Sequence, residues 1–207
     1  MSKRQKIAIG IISVIVLAII TGVVIEYCIE LKHQNEQQME HQRLMEESIQ
    51  EIHYINENSY FGEIELMGEP LENYMSGEYN YYKPIGEYLC WKFNNEEITI
   101  NLIEIYYDTG NFLGITVGDS YDKAIKMMED RGYSFKGQQE DYILYEGRGT
   151  AYVYKKAYVA IAFTTDDSNT IRNIAIQIRN PYYAKRYDIE VRNDVPWYVK
   201  TIGFCFP

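Results

Sequence analysis

The sequence predicts an α+β protein built from an N-terminal transmembrane helix, a helical stalk and an antiparallel-sheet domain with one amphipathic helix packed on the sheet. Three observations support this prediction. Residues 7–25 are uncharged and predominantly apolar, and residues 26–56 are rich in helix formers and contain neither Gly nor Pro. Residues 57–207 are rich in β-forming residues, arranged mainly as short runs separated by turn residues.

The apolar segment 7–25, IAIGIISVIVLAIITGVVI, contains no charge and no proline. A helix of this length is about 28 Å long, close to the thickness of a bilayer's hydrocarbon core. Lys3, Arg4 and Lys6 precede it, and basic flanks tend to stay in the cytoplasm. We therefore expect residues 1–6 to be cytoplasmic, the lipid bilayer to hold residues 7–25, and the rest of the chain to be extracytoplasmic.

A cleaved signal peptide is the alternative interpretation of this segment. Signal peptides have an apolar core of about 7–15 residues followed by a cleavage site of small residues. Here the core is longer and ends in VVIEYC, which contains no pair of small residues. The sequence therefore favours a retained anchor in the cell membrane.

Charge and histidine content narrow the classes of function. The 207 residues carry a net charge of −10, which argues against binding nucleic acid. The three histidines, His33, His41 and His53, all lie in the predicted stalk, so a Ser-His-Asp or Cys-His site in the folded domain is not expected. Acidic pairs occur at turns and helix ends without the spacing of a calcium loop. We predict no catalytic residue, cofactor or metal site.

Tyrosines are the candidate residues for contact with a protein partner. The chain contains 21 of them, and tyrosine supplies a large apolar area with a polar tip. Their packing within the sheet is the alternative for each position. The candidates alternate or cluster in predicted strands; they are Tyr79, Tyr81, Tyr82, Tyr152 and Tyr154.

The three cysteines have no metal-binding spacing. Cys28 follows the predicted membrane span, Cys90 lies in a strand-like run, and Cys205 lies near the end of the sequence. An extracytoplasmic compartment would permit a Cys90–Cys205 disulfide. Two buried free thiols are the alternative.

Helical periodicity identifies two packed helical faces. Met45, Ile49, Ile52 and Ile55 form a narrow apolar stripe, which predicts that the second half of the stalk packs on the domain. A second helix is expected between Tyr121 and Gly132. Asp119 or Ser120 would cap it, Gly132 would end it, and one face would be apolar. That face consists of Tyr121, Ala124, Ile125 and Met128.

Strands are predicted on both sides of this second helix. Turns are expected at 94–95, 108–111, 146–149 and 166–169, and the tail, 181–207, is expected to lie along the domain with one short helical turn at most. The predicted strands are 78–83, 86–93, 97–107, 141–145, 150–154, 158–164 and 171–179.

The segment Gly114–Ser120, GITVGDS, the helix that runs to Gly132 and the strands that follow resemble a known type of module. They are similar to the helix-plus-meander modules of the β-lactamase-inhibitor-protein and SmpA/OmlA (BamE-like) group. The resemblance covers residues 113–178, about a third of the chain. It implies a small α+β module placed behind a membrane or lipid anchor in a bacterial envelope, binding proteins or scaffolding envelope machinery.

Such modules often occur in pairs, which implies two submodules, 57–112 and 113–180. The end of the stalk, 44–56, would then be the helix of a first copy, with its strands in 78–107. The sequence before residue 58 contains no counterpart of LGITVGDS. One module and two modules both remain open at this point.

The function predicted from these features is that of a membrane-anchored, extracytoplasmic binding or scaffold protein without catalytic activity, with an envelope protein as its partner. One alternative is an envelope glycan hydrolase that uses acids such as Glu87, Glu97 and Asp141. The other is a sensor whose ligand signal passes through the stalk. The sequence makes no prediction of the oligomeric state.

Overall fold

The computed structural model describes residues 3–71, 79–82, 85–93, 97–144 and 147–178. Within these ranges, the side chains of residues 4, 6–15, 79–81, 91–93, 97–98, 141–144 and 147 are not part of the description. The chain divides into two compact units, Met1–Leu44 and Met45–Pro207. The predicted tail, 181–207, lies outside the described residues.

Helix α1, Lys3–Asn58, includes the predicted span and the predicted stalk and continues into the second unit. The helical prediction for residues 26–56 is therefore confirmed. In the first unit, many apolar side chains of α1 are more than half exposed, among them Leu17, Ile20 and Val23. Where side chains are described, no helix is both long enough and apolar enough to cross a membrane. The side chains of residues 7–15, half of the predicted span, are not among them.

Within the described part of the second unit, seven strands form one antiparallel sheet, so the α+β class is confirmed. Its spatial order is β1-β2-β3-β7-β6-β5-β4. Strands of both predicted submodules join this one sheet, because β3 pairs with β7. The bounds are β1 Tyr79–Tyr82, β2 Gly86–Phe93, β3 Glu97–Ile105, β4 Ser134–Leu144, β5 Gly147–Lys156, β6 Val159–Thr165 and β7 Ile171–Ile178.

Helix α2, Tyr121–Asp130, begins and ends where the sequence predicts. The Ser120 side chain accepts a hydrogen bond from the Asp122 amide, 3.3 Å away, which satisfies one of the free amides of the first turn. Gly132 adopts a positive φ of 74°, and the amide of Tyr133 donates to the Met128 carbonyl at 2.9 Å. This left-handed C-terminal cap favours glycine because a side chain would be strained there.

Both helices contribute to the core on one face of the sheet. The core contains Ile55 of α1 and Tyr121, Ala124 and Met128 of α2. The helices pack on strand residues that the alternating sequence pattern had placed on one face of the sheet. They include Ile161 and Phe163 of β6 and Ile174 and Ile176 of β7.

The face of α1 that packs on the domain differs from the predicted stripe. Ile55 is buried as predicted. Ile49 is 50% exposed, so the prediction that it packs on the domain is wrong. Ser48 and Glu51, which are polar, are buried at the same spacing instead. The packing face of α1 therefore contains a serine and a carboxylate among its apolar residues.

Strand β4 is longer than predicted. It starts at Ser134, directly after the α2 cap, and its first half is largely exposed. It is an edge strand with only β5 as a neighbour, so its residues need not be apolar. The predicted 146–149 turn is also corrected in part, since Gly147, Arg148 and Gly149 belong to β5.

Candidate functional site

A buried charged cluster joins the last turns of α1 to the sheet. Glu51 is only 2% exposed, and both of its carboxylate oxygens lie 2.8 Å from the Arg131 guanidinium. Lys156 donates to the same carboxylate, and the Tyr133 hydroxyl donates to it at 3.1 Å. One carboxylate therefore receives hydrogen bonds from three side chains on two segments, the connection between α2 and β4 and the end of β5.

The electrostatics of this cluster favour the ionised carboxylate. Burial by itself would raise the pKa of Glu51, but the hydrogen bonds from Arg131 and Lys156 outweigh burial and lower the pKa. Burial and the nearby Glu51 charge raise the pKa of Tyr133, so its hydroxyl remains a donor. The Arg131 guanidinium also stacks on the Tyr54 ring, 3.4 Å from its centroid.

Helix α1 is held at a second point by Ser48. Its hydroxyl oxygen accepts a hydrogen bond from the backbone amide of Tyr158, 2.9 Å away, at the turn between β5 and β6. Near the end of α1, the Asn56 amide exchanges two hydrogen bonds with the backbone of Leu66, each of 3.0 Å. These contacts dock residues 48–56 on the domain, which confirms that the second half of the stalk packs there.

Two of the tyrosines predicted to contact a partner lie under α2. Tyr154 is 5% exposed, and its hydroxyl is hydrogen-bonded to that of Tyr121 at 2.7 Å. Its burial in the core corrects the prediction that it belongs to a contact surface. Tyr152 is half-buried and stacks on the Tyr121 ring, with centroids 4.1 Å apart.

Of the predicted β1 tyrosines, Tyr82 is half-buried, and the side chains of Tyr79 and Tyr81 are outside the description. The Tyr82 hydroxyl accepts a hydrogen bond from the amide of Glu63 at 3.2 Å. A Cβ atom on Gly62 would lie 2.6 Å from the Tyr82 ring, and Gly62 has a φ of 74°. Glycine is therefore required for the loop to close over this ring.

Tyr82 belongs to a group of tyrosines at one end of the sheet. Tyr60 is 53% exposed and pairs with Asn111 through two backbone hydrogen bonds. Tyr107, 43% exposed, begins the turn that leads to Asn111. Tyr106 is held by a bond from its amide to the Ile85 carbonyl, 2.8 Å away. Its side chain lies on the opposite face of the sheet, where its hydroxyl donates to Glu104, so we give the name tyrosine surface to Tyr60, Tyr82 and Tyr107 only.

The opposite face of the sheet carries a second buried cluster made only of strand residues. It contains Leu89, Leu102, Ala151, Val153, Ala162 and Ala175. Register places Glu87 and Glu104 on this same face, directly opposite each other in β2 and β3. Gln177 of β7, opposite Leu102, shares it.

Glu87 is a partly buried carboxyl group with a raised pKa. Burial, with a smaller contribution from the Glu104 charge, raises its pKa to about 7. Glu104 is 2% exposed, and one of its oxygens accepts a hydrogen bond of 2.7 Å from the Tyr106 hydroxyl. Of the acids named for glycan hydrolysis, the side chains of Glu97 and Asp141 are not described, so Glu87 is the one whose surroundings are known.

Cys90 is a buried free thiol, and burial raises its pKa to about 11. The Cys90–Cys205 disulfide stays a prediction, because Cys205 lies outside the described residues. Cys28 is free and exposed on α1. The two cysteines therefore differ sharply in their accessibility to reagents.

In the acidic turn at 166–169, the Asp166 carboxylate accepts hydrogen bonds from neighbouring residues of the chain. One Asp166 oxygen accepts from the Ser168 amide and hydroxyl and from the Thr170 amide, and the other accepts from Arg172. Mainly through the Ser168 hydroxyl, these contacts lower the pKa of Asp166 to about 2. Within the described ranges, no three metal-ligating side chains come together.

Comparison with known proteins returned no family model, no curated protein and no solved structure that matches the chain.

Sequence reasoning did not identify the Glu51 cluster or the Glu87–Glu104 pair. Glu51 lies three residues after buried Ser48 and four before buried Ile55, so it shares their side of α1, but its partners come from distant segments. Glu104 stands between the apolar residues Leu102-Ile103 and Ile105 of β3, which marks it as an acid inside a sheet. The facing residue, Glu87, follows only once the strand register is known.

Proposed function

We propose that this chain is a membrane-anchored, extracytoplasmic protein of a bacterial cell envelope, which binds or scaffolds another protein without catalysis. Residues 7–25 anchor it in the bilayer, residues 1–6 lie in the cytoplasm, and the sheet-containing unit lies outside. The alternatives of a glycan hydrolase and a ligand sensor are supported by no comparable observation.

The observation that carries the proposal is the apolar character of the first part of α1 on all sides. Side chains on successive positions around the helix are exposed, including Leu17 at 67%, Ile19 at 61% and Val24 at 52%. A helix that is apolar all round is stable where its whole circumference is covered by an apolar medium. Together with the basic residues before it, this pattern supports a lipid-embedded helix with its N-terminus inside.

Labelling of Cys28 tests this orientation. A membrane-impermeant maleimide applied to intact cells is expected to label Cys28 in a Cys205→Ser chain, because Cys28 is exposed three residues beyond the predicted span. Cys90 is expected not to react, since it is buried and its pKa is about 11. The readout is the mass shift of the intact chain.

The control is the Cys28→Ser, Cys205→Ser double variant, which is expected to remain unlabelled until the protein is unfolded. Labelling of Cys28 only after the cells are lysed would contradict the proposed orientation.

The binding part of the proposal is supported by the tyrosine surface. Tyrosine is enriched at protein interfaces because it contributes a large contact area at a small entropic cost. The exposed rings of Tyr60 and Tyr107 are carried by backbone that is fixed by bonds to Asn111 and within the 107–110 turn. A rigid backbone limits the entropy that binding would cost.

Site-specific photo-crosslinking in whole cells tests this surface. Benzoylphenylalanine at position 60 is expected to give one discrete adduct, and the Tyr60→Ala, Tyr107→Ala variant is expected to reduce partner recovery at least tenfold. Phe135, also 53% exposed but on edge strand β4, provides the matched position for both the crosslinker and an alanine control. Equal adducts from positions 60 and 135 would count against the tyrosine surface.

A further inference from the structure

The second face of the sheet, opposite the helices, is buried across most of its width. Two rows of side chains cross this face between β2 and β5, as the strand register requires. No member of either row is more than 7% exposed, so solvent is excluded over the width of five strands. The rows are Leu89, Leu102, Gln177 and Ala160, and Glu104, Ala175, Ala162 and Val153.

An open sheet face does not bury its side chains to this extent. Side chains stand roughly perpendicular to the strands, so leucine and alanine on an uncovered face remain in contact with water. Sheets bury an apolar face against a further layer of the protein. The exposures of Leu89, 1%, and Ala162, 3%, therefore require a layer of atoms over the second face.

The described elements outside the sheet pack on its other face. The buried apolar residues of α1, of segment 59–71, of the connection 106–120 and of α2 all belong to the core cluster on the helix side. None of them belongs to the second-face cluster, which consists of strand residues. The layer over the second face consequently comes from a part of the chain outside the described residues.

Chain length indicates which part this is. Beyond residue 71, four of the stretches outside the described ranges have at most seven residues each, and the fifth, 179–207, follows the central strand β7. Crossing five strands requires about 19 Å, or roughly 13 residues in a helix, so 179–207 is long enough and the others are not. The four short stretches are 72–78, 83–84, 94–96 and 145–146.

We propose that the tail, 181–207, packs across the second face of the sheet as a second layer of the core. The face presents small side chains, among them Ala160, Ala162 and Ala175, and facing layers pack closely where large residues meet small ones. The tail supplies large aromatic side chains, each of which buries a large area. They are Tyr182, Tyr183, Tyr187, Trp197, Tyr198, Phe204 and Phe206.

This packing commits the second face to the chain itself. The competing occupants are a second copy of the chain and another envelope protein. A face filled by the tail is closed to both, which leaves the tyrosine surface for the partner. That last consequence rests on the proposed function, whereas the packing of the tail does not depend on it.

Thiol labelling of the full chain in detergent micelles tests the proposal. Ala162→Cys is introduced into a Cys28→Ser, Cys205→Ser chain that has a protease site inserted between Asn180 and Pro181 and an affinity tag on the tail. The tail is cut and withdrawn only after the protein has folded. We expect the maleimide reaction at position 162 to be slow in the intact chain and about tenfold faster or more once the tail is removed.

The matched control is Ala124→Cys in the same chain. Ala124 is fully buried under α2 on the other face, so its replacement is expected to stay protected before and after removal of the tail. Equal protection of Ala162→Cys with and without the tail would overturn the proposal. Fast labelling of Ala162→Cys in the dilute, purified intact chain would also overturn it, because the cover would then be a second copy or another protein.

Photo-crosslinking of the intact chain gives a second measurement that does not require removal of the tail. Benzoylphenylalanine at positions 187 and 197 is expected to form adducts within the same chain at second-face residues such as Val153. The matched position is Phe135, whose ring contacts Tyr154 on the other face and is expected to give no such adduct. Adducts from the two tail positions only with another copy or another protein would contradict the proposal.

Discussion

Replacing Glu51 with glutamine is expected to lower the free energy of unfolding of the sheet-containing unit by about 3 kcal/mol. The substitution keeps the size of the side chain but removes the charge that Arg131 and Lys156 both contact. Those two cations are themselves only 24% and 22% exposed, so they would be left close together and poorly solvated. Breaking such a pair costs far more than losing a surface ion pair.

Urea unfolding of the full chain in micelles, followed by near-ultraviolet circular dichroism, measures this loss. Glu46→Gln is the matched control because Glu46 lies exposed on the same helix, and its substitution is expected to change stability by less than about 0.5 kcal/mol. Equal stabilities for the natural chain and the Glu51→Gln variant would show that the cluster does not hold α1 in place.

The same variant predicts a pH dependence with a definite sign. The folded-state pKa of Glu51 is lowered below its ordinary value of 4.5. The stabilisation from ionised Glu51 is therefore complete above that value and is lost as the pH falls through the lower, folded-state pKa. We expect the stability difference between the natural chain and Glu51→Gln to be large at pH 7 and to shrink steadily below pH 4.5.

Two lysines in the apolar segment, Leu17→Lys with Ile20→Lys, are expected to abolish retention of the chain in membranes. Each lysine near the centre of a membrane helix opposes insertion by about 2.5–3.5 kcal/mol, so the pair opposes it by roughly 6 kcal/mol. Resistance of the membrane fraction to alkaline carbonate extraction is the measurement.

Gln34→Lys with Gln38→Lys is the matched control for charge, because it adds two lysines to the same helix outside the predicted span. This control is expected to remain in the membrane pellet. Persistence of the Leu17→Lys, Ile20→Lys variant in that pellet would contradict a lipid-embedded helix.

Local patterns predicted much of the fold because their causes are local. Ser120 starts α2 and Gly132 ends it, through hydrogen bonds to residues only a few positions away. The alternation of residues in β6 and β7 places their apolar side chains on one face of the sheet. The polar start of β4 was missed because an edge strand has one neighbour and can remain exposed.

The charged groups of the candidate sites depend on distant partners and were not predicted. The burial of Glu51 depends on Arg131 and Lys156, which pair with its carboxylate although they lie far from it in the sequence. Tyr154, predicted as a contact residue, is drawn into the core by Tyr121 of α2. Alternation along a strand identifies two faces but does not tell which of them another element will cover.

The pairing of β3 with β7 has a consequence for the order of events during biosynthesis. Strands β1 to β3 emerge from the ribosome first, but Ile105 of β3 finds its neighbour Ile174 only after nearly all of the described sheet has been made. Until then, one side of β3 has unsatisfied backbone groups that favour association between nascent chains. Slow, nonlocal closure of this kind lengthens the time for which the newly made chain exposes the unpaired side of β3.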